Sequence, residues 1–208
     1  MSLNKILTQG LDKLRVTLDV TQQQKLLTYL QLLHTWNKVH NLTAIKDLNI
    51  MVSYHLLDSL SILNLVANYS NIIDVGTGAG LPGIPLAIAL PQCQITLLDS
   101  NIKKIVFLQK VVAQLQLENI VIVHSRAEQY HPAAAFALVL SRACANIATL
   151  IKFAAHLCAV DGNILAMKSA AVESELVAMP AEFMLAKLQQ LEVPNVAGVR
   201  FAAVIKRV

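Results

Sequence analysis

Over the first 68 residues the apolar positions recur at helical spacing. Leu26, Leu27, Leu30 and Leu33 fall on one side of a helix, and Thr21 with Gln24 has the form of a capping box at its start. Asp47 suits the N-cap of a further helix through Met51, Val52, His55, Leu56, Ser59, Leu60 and Leu63. The pattern changes at Ser70–Asn71. Short apolar runs at 72–75, 94–99, 119–123, 136–141 and 163–168 then alternate with helical stretches such as Lys103 to Leu117. Val199 to Lys206, rich in Val, Ile and Phe, predicts a closing strand. Strands interleaved with helices predict an α/β fold, a single doubly wound and mostly parallel sheet with helices on both faces. The expected organisation is a helical cap over 1–68 packed on a Rossmann-like domain over 69–208. No internal repeat, low-complexity tract or disordered linker interrupts it.

The run from Ile72 to Gly83 carries the most chemistry: Ile-Ile-Asp-Val-Gly-Thr-Gly-Ala-Gly-Leu-Pro-Gly. An apolar strand containing Asp74 breaks into a turn with Gly76, Gly78 and Gly80. Glycine adopts positive φ cheaply and leaves its backbone bare for a ligand. Pro82 stands where a helix can begin. Strand, glycine elbow and helix together hold nucleotide-like ligands at the carboxyl end of a strand. The dinucleotide fingerprint G-x-G-x-x-G needs a glycine where Leu81 stands. The pattern present, D-x-G-x-G-x-G, resembles the first motif of S-adenosylmethionine-dependent methyltransferases.

The apolar fraction of 55% raises the question of a membrane. No run reaches the ~18–20 apolar residues of a spanning helix, and 133–160 is broken by Ser141, Arg142, Asn146, Lys152 and His156. The opening residues lack the basic head and apolar block of a secretory leader. Cys93, Cys144 and Cys158 form no metal-binding spacing, so free thiols in a reducing cytoplasm, no membrane and no metal are expected. A net charge of +4 suits a polyanionic partner.

Several polar residues stand where the predicted strands end. Asp99, 23 positions after Gly76, is placed to accept ribose hydroxyls or else to cap the helix that follows. Asp74 either orders the elbow through its backbone N–H groups or is a plain turn residue. Ser125-Arg126-Ala127-Glu128 ends the third strand beside the elbow, where its backbone can meet an adenine ring; Glu128 can equally be a solvated carboxylate. Arg142 ends the fourth strand and Lys168 the fifth, at the rim where ligands bind, although both also suit ordinary surface charges. His55 falls on an otherwise apolar stripe, the usual place of a core histidine.

The chain resembles the bacterial 16S ribosomal RNA guanine-N7 methyltransferases, the glucose-inhibited division protein B family (RsmG). The matching segments are Trp36-Asn-Lys, His40-Asn-Leu-Thr-Ala-Ile45, His55-Leu-Leu-Asp-Ser59, Asp74 to Pro85, Leu97-Leu-Asp-Ser100, Ser125-Arg-Ala-Glu128, Ser141-Arg-Ala143, Ala166-Met-Lys168 and Val204-Ile-Lys-Arg207. The resemblance implies a methyltransferase of the class I S-adenosylmethionine-dependent type. It implies cofactor contacts from Gly76, Gly78, Leu81, Asp99, Ala127, Glu128 and Arg142, to which Asp74 and Gly80 belong through the elbow. It also implies transfer to a guanine in the 530 loop of the small ribosomal subunit; separately, a monomer in the cytoplasm is expected. Ala137 and Ser169 depart from the family's usual Asp and Gly.

Guanine N7 offers a lone pair and has no proton to lose, so its methylation needs alignment rather than a base, and orientation contributes roughly 7–11 kcal/mol. The Asn/Asp-Pro-Pro-aromatic loop of exocyclic amine methylation is absent, and nothing beside Cys144 would activate it for attack on a pyrimidine; a buried residue starting a helix is the expectation there. Arg142 can hold the guanine edge or a phosphate, and His55 and Asp58 belong on the inner side of the cap as orienting groups. Lys103, Lys104 and Lys110, with Lys168, Arg200, Lys206 and Arg207, are candidates for RNA phosphates, or merely solubilising charges. A methyltransferase for a small molecule or protein, a nucleotide-sensing module without turnover and, more remotely, a nicotinamide dehydrogenase are the competing readings.

Overall fold

Alternation along the strands decides which side of the sheet each residue serves. Ile72, Ile95, Leu97, Leu138, Leu140 and Leu165 belong to one apolar cluster, and their neighbours Ile73, Leu98, Val139, Ile164 and Ala166 to another. In this computed structural model, which describes residues 2–142 and 145–208, those clusters lie on opposite faces of a seven-stranded sheet. The expected role of Cys144 as the start of a helix, and the match at Ala143, lie outside the described residues.

Helices α1 (Leu3–Leu14) and α2 (Val20–His40) precede the sheet, followed by short helices α3 (Leu48–Met51), α4 (Asp58–Leu60) and α5 (Leu63–Val66). The sheet then builds as β1 (Asn71–Val75), α6 (Gly83–Ala89), β2 (Gln94–Asp99), α7 (Ile102–Leu115), β3 (Ile120–His124) and β4 (Phe136–Arg142). It continues through α8 (Ile147–Ala154), β5 (Cys158–Lys168), α9 (Val172–Val177), β6 (Phe183–Leu191) and β7 (Arg200–Arg207). The strand order is β3-β2-β1-β4-β5-β7-β6. The first five strands are parallel, and β7 runs antiparallel to both β5 and β6.

Three local features differ from expectation. The capping box of α2 lies at Asp19 and Gln22 rather than Thr21 and Gln24. Asp19 accepts the Gln22 N–H at 2.7 Å, and a carboxylate is favoured over a hydroxyl at the positive end of a helix. The helix capped by Asp47 is not uniform, because Val52–Leu57 is π-helical between α3 and α4. Such an inserted residue re-aims side chains and recurs at functional sites. Strand β6 was hidden by its composition: Lys187, Gln189 and Gln190 interrupt the apolar pattern of an edge strand that has one partner only.

The N-terminal helices share the first apolar cluster with the sheet. Leu7, Leu26, Leu30 and Leu33 are fully buried and pack with Ile84, Phe107 and Leu138. On the other face α8 places Ile147, Leu150 and Ile151 against Ile73, Val139 and Ile164. The elbow after β1 and the end of β4 are therefore held side by side, at the point where successive crossovers diverge. Ligands of open α/β sheets bind in that crevice.

Candidate active site

The glycine elbow is held open by two carboxylates. Gly76, Gly78 and Gly80 have φ of 68°, 65° and 92°, values that side chains rarely tolerate. Asp74, fully buried, accepts from the Thr77 hydroxyl at 2.6 Å and from the Gly83 N–H at 2.9 Å. It thereby fixes both ends of the turn from beneath. Burial pushes its pKa from 3.8 up to about 6, against the pull of these two donors. Asp99, at the end of β2, accepts the Gly78 N–H at 2.9 Å through Oδ2 and the Asn101 N–H at 2.8 Å through Oδ1. Asp99 therefore orders the elbow, a role the sequence assigned to Asp74, and it does not cap α7. The side-chain cap of that helix is Asn101.

A cavity of about 430 Å³ opens above the strand ends. Its walls include Gly76 and Asp99 on one side, Ala127 and Glu128 from the loop after β3, and Arg142 with Phe153. The size lies within the roughly 300–1,000 Å³ of small-molecule sites. Lys104 enters this cavity, its ammonium 3.3 Å from Asp99 Oδ2, and so does not share the outer face of exposed Lys103. The bare elbow, the buried Asp99 carboxylate and the exposed loop at Glu128 suit a nucleoside with a ribose diol.

A second cavity, of about 580 Å³, lies on the other side of Arg142. His55 and Asp58 line it from the π-helical segment and α4, with Thr43, Tyr54, Lys168, Glu175, Arg200 and Phe201. Arg142 Nη1 donates to Asp58 Oδ2 at 2.8 Å and to the Tyr54 carbonyl at 3.0 Å. Arg200 Nε stands 3.5 Å from Asp58 Oδ1. Lys168, almost buried, pairs with Glu175 at 2.8 Å and donates to the Ala145 carbonyl. His55 Nε2 meets the Thr43 hydroxyl at 2.9 Å. Burial, aided by the Arg142 charge, pulls its pKa from 6.5 down to about 4, so the ring is neutral at neutral pH.

Gly76, Asp99, Ala127, Glu128 and Arg142 thus gather on the first cavity, and His55, Asp58, Arg142, Lys168 and Arg200 on the second. Others stand elsewhere. Gly78 donates its N–H to Asp99 at the edge of the first cavity, where a Cβ would stand 3.9 Å from the Lys104 ammonium, and Asp74 is sealed beneath the elbow. Gly80 and Leu81 face the core: a Cβ at Gly80 would meet Ile84 at 2.5 Å, and Leu81 is buried in the first apolar cluster. Arg207 lies over Phe183 and donates to the Ala155 carbonyl. An extended strand carries it about 23 Å from Arg200, so the two do not form one patch. Tyr54, Thr43, Phe153 and Glu175 were not singled out by the sequence, although Thr43 falls inside a quoted segment.

Among the described residues no helix is long and apolar enough to cross a membrane, and no group of three or more His, Cys, Asp or Glu could hold a metal.

The chain matches the model of the family GidB, rRNA small subunit methyltransferase G, over residues 22–202. It is 43% identical over 201 residues to the ribosomal RNA small subunit methyltransferase G of Pseudomonas aeruginosa, covering 97% of this chain and 94% of that protein. The protein of the same name from Marinobacter nauticus is 44% identical over the same shares. Among solved structures, the mitomycin 7-O-methyltransferase MmcR aligns with a TM-score of 0.64 and 16% identity, over 86% of this chain and 60% of that one. M. capricolum TrmK in complex with S-adenosyl-homocysteine aligns at 0.58 and 15% identity, over 72% and 67%. These two likenesses establish the methyltransferase fold.

Proposed function

The chain belongs to the GidB family of ribosomal RNA small subunit methyltransferases, and from that premise we propose that it methylates N7 of a guanine in the 530 loop of 16S ribosomal RNA. The observation that carries the reading is the position of Arg142, which borders two separate cavities at the end of β4. One suits a nucleoside cofactor, and the other is large enough for a nucleotide of the substrate.

The cofactor is S-adenosylmethionine, which when bound supplies an electrophilic methyl group on a sulfonium sulfur. Asp99 would take its ribose hydroxyls, with Lys104 giving way. The exposed backbone of Gly76 would lie along the ligand, and Ala127 with Glu128 would face the adenine. The second cavity holds the target base. Its residues need move no proton, because N7 carries none. Neutral His55, braced on Thr43, shapes the wall, and Asp58 fixes Arg142 between the two cavities. Arg142 orients the base and screens the boundary from water.

We further assign residues 1–68 as a cap on the catalytic domain 69–208, working as a monomer in the cytoplasm. Tyr29 of α2, bonded into the glycine elbow, supports the capping role. Lys168 and Arg200 on the second cavity, with exposed Lys103, are the basic residues we assign to RNA.

Small subunits lacking the modification, incubated with the protein and methyl-labelled cofactor, test the reading. Label at N7 of a 530-loop guanine is expected; label confined to protein, small molecules or another nucleotide would reject it.

A further inference from the structure

We propose that Asp58 and Arg142 together read the Watson–Crick edge of the target guanine, and that Arg200 occupies the guanine's place on Asp58 while RNA is absent. The inference rests on the methyl-transfer reading above and names how that site selects its base.

Asp58 is 5% exposed and lines the second cavity. Its two oxygens are unequal. Oδ2 is engaged by Arg142 Nη1 at 2.8 Å, whereas buried Oδ1 has no hydrogen bond among the described residues. Arg200 Nε approaches Oδ1 to 3.5 Å, an ion-pair distance without a bond. A buried carboxylate oxygen left without a donor is costly, so the arrangement is complete only when a further donor arrives. Arg200 is positioned loosely, about one-quarter exposed at the first residue of β7, and can leave.

The chemistry of the missing donor follows from what now approximates it. A guanidinium presents two parallel N–H groups to a carboxylate. Guanine carries the same guanidine fragment in its ring, as N1–H beside the 2-amino group, with the O6 acceptor next in line. The Asp58–Arg142 pair offers two acceptors followed by a donor, the order in which cytosine meets guanine. Asp58 would accept from the 2-amino group and N1–H, and an Arg142 N–H would donate to O6. Adenine has no 2-amino group and an acceptor at N1, so it would oppose a lone pair to the carboxylate. N7 lies on the other side of the ring, where these contacts leave its lone pair free for the methyl.

Small subunits reconstituted with inosine in place of the target guanine test this, because inosine keeps N7, O6 and N1–H but lacks the 2-amino group. The wild-type kcat/KM is expected to fall at least ~10-fold on inosine, the effect of one hydrogen bond to a charged group. Asp58→Asn should lower the rate on guanine and bring the guanine-to-inosine ratio towards one. Asp58→Glu, which keeps both acceptors, should retain a ratio well above one, and Arg200→Ala should leave the ratio unchanged. Equal wild-type rates on the two subunits, or an unaltered ratio in Asp58→Asn, would overturn the assignment and leave Asp58 only a support for Arg142. A ratio abolished by Arg200→Ala would transfer the reading to Arg200 and overturn it as well. No transfer to either subunit would instead overturn the methyltransferase reading, and this inference with it.

Discussion

Tyr29 and Ala79 lie 50 residues apart and meet inside the protein: the phenol donates to the Ala79 carbonyl at 2.8 Å, with the Tyr29 side chain fully buried. The bond crosses from α2 to the middle of the glycine elbow. The shape of the elbow therefore depends on how the N-terminal helices pack. Burial raises the phenol's pKa, so the group stays a donor throughout the working pH range.

Tyr29→Phe keeps the ring and removes the donor. The buried Ala79 carbonyl then has no partner, at a cost of about 1–3 kcal/mol. Denaturant unfolding should show that loss, and calorimetry should show weaker cofactor binding in the folded variant. Unchanged cofactor affinity would mean the elbow holds its shape without α2.

Asp99→Ala should weaken S-adenosylmethionine binding by about 1.5–3 kcal/mol, the scale of hydrogen bonds to a charged acceptor. It also frees the Gly78 N–H and the Lys104 ammonium. Isothermal calorimetry checks the affinity; wild-type binding would place the ribose elsewhere.

Gly78 and Gly80 differ in what an added side chain would meet. A Cβ at Gly80 would stand 2.5 Å from Ile84 and 2.9 Å from Leu108, at a φ of +92°. Gly80→Ala should lower stability by about 1–3 kcal/mol, through overpacking and backbone strain. At Gly78 the nearest atoms are 3.9 Å away but φ is +65°, so Gly78→Val should obstruct the ligand and also cost backbone strain of about 1–3 kcal/mol. Thermal melts should show both variants destabilised, and calorimetry should show the larger loss of cofactor affinity in Gly78→Val; wild-type affinity there would leave the elbow a purely structural turn.

Lys103→Met and Lys104→Met should differ despite their adjacency. Lys103 is exposed and Lys104 lies against Asp99. Only the first should reduce the salt dependence of RNA binding, by a slope of about one. Filter binding over a series of salt concentrations, with cofactor affinity measured alongside, distinguishes them; equal changes in slope would put both lysines on the RNA.

His55 gives stability a particular dependence on pH. Its imidazole falls from 6.5 to about 4 on folding, so between those values the unfolded chain binds a proton that the folded protein refuses. The stability it contributes is complete above pH 6.5 and is lost as pH falls towards 4, by an amount on the order of 3 kcal/mol. Asp74, raised from 3.8 to about 6, acts in the opposite sense: its contribution is complete below 3.8 and is lost as pH rises through 6. His55→Gln isolates the first effect. The difference in unfolding free energy between wild type and variant should move in favour of wild type from pH 4 to 6.5, and a constant difference would show that His55 does not titrate this way.

The parts of the site legible in the sequence are those fixed by local chain geometry. The elbow glycines, Asp99 and Arg142 follow strand ends, and strand ends can be read from apolar runs. Long-range pairings could not be read in that way. Nothing near Glu175 announces that it would reach Lys168, and nothing near Arg200 points to Asp58. Lys104 was grouped with Lys103 because they are neighbours, yet successive helical residues point roughly 100° apart. Strand β6 escaped because an edge strand can afford lysine and glutamine where an inner strand cannot.

Strand β7 lies between β5 and β6 and ties the edge of the sheet to its parallel part. Strand β6 precedes it in the chain and joins the sheet through β7 alone. Arg200 and Phe201, which line the second cavity, are the first two residues of β7. The first cavity is lined from the parallel strands, their loops and helices α7 and α8 alone. Apart from the shared Arg142, the two cavities therefore draw on different halves of the sheet, and a change in the β6–β7 hairpin reaches the second without touching the first.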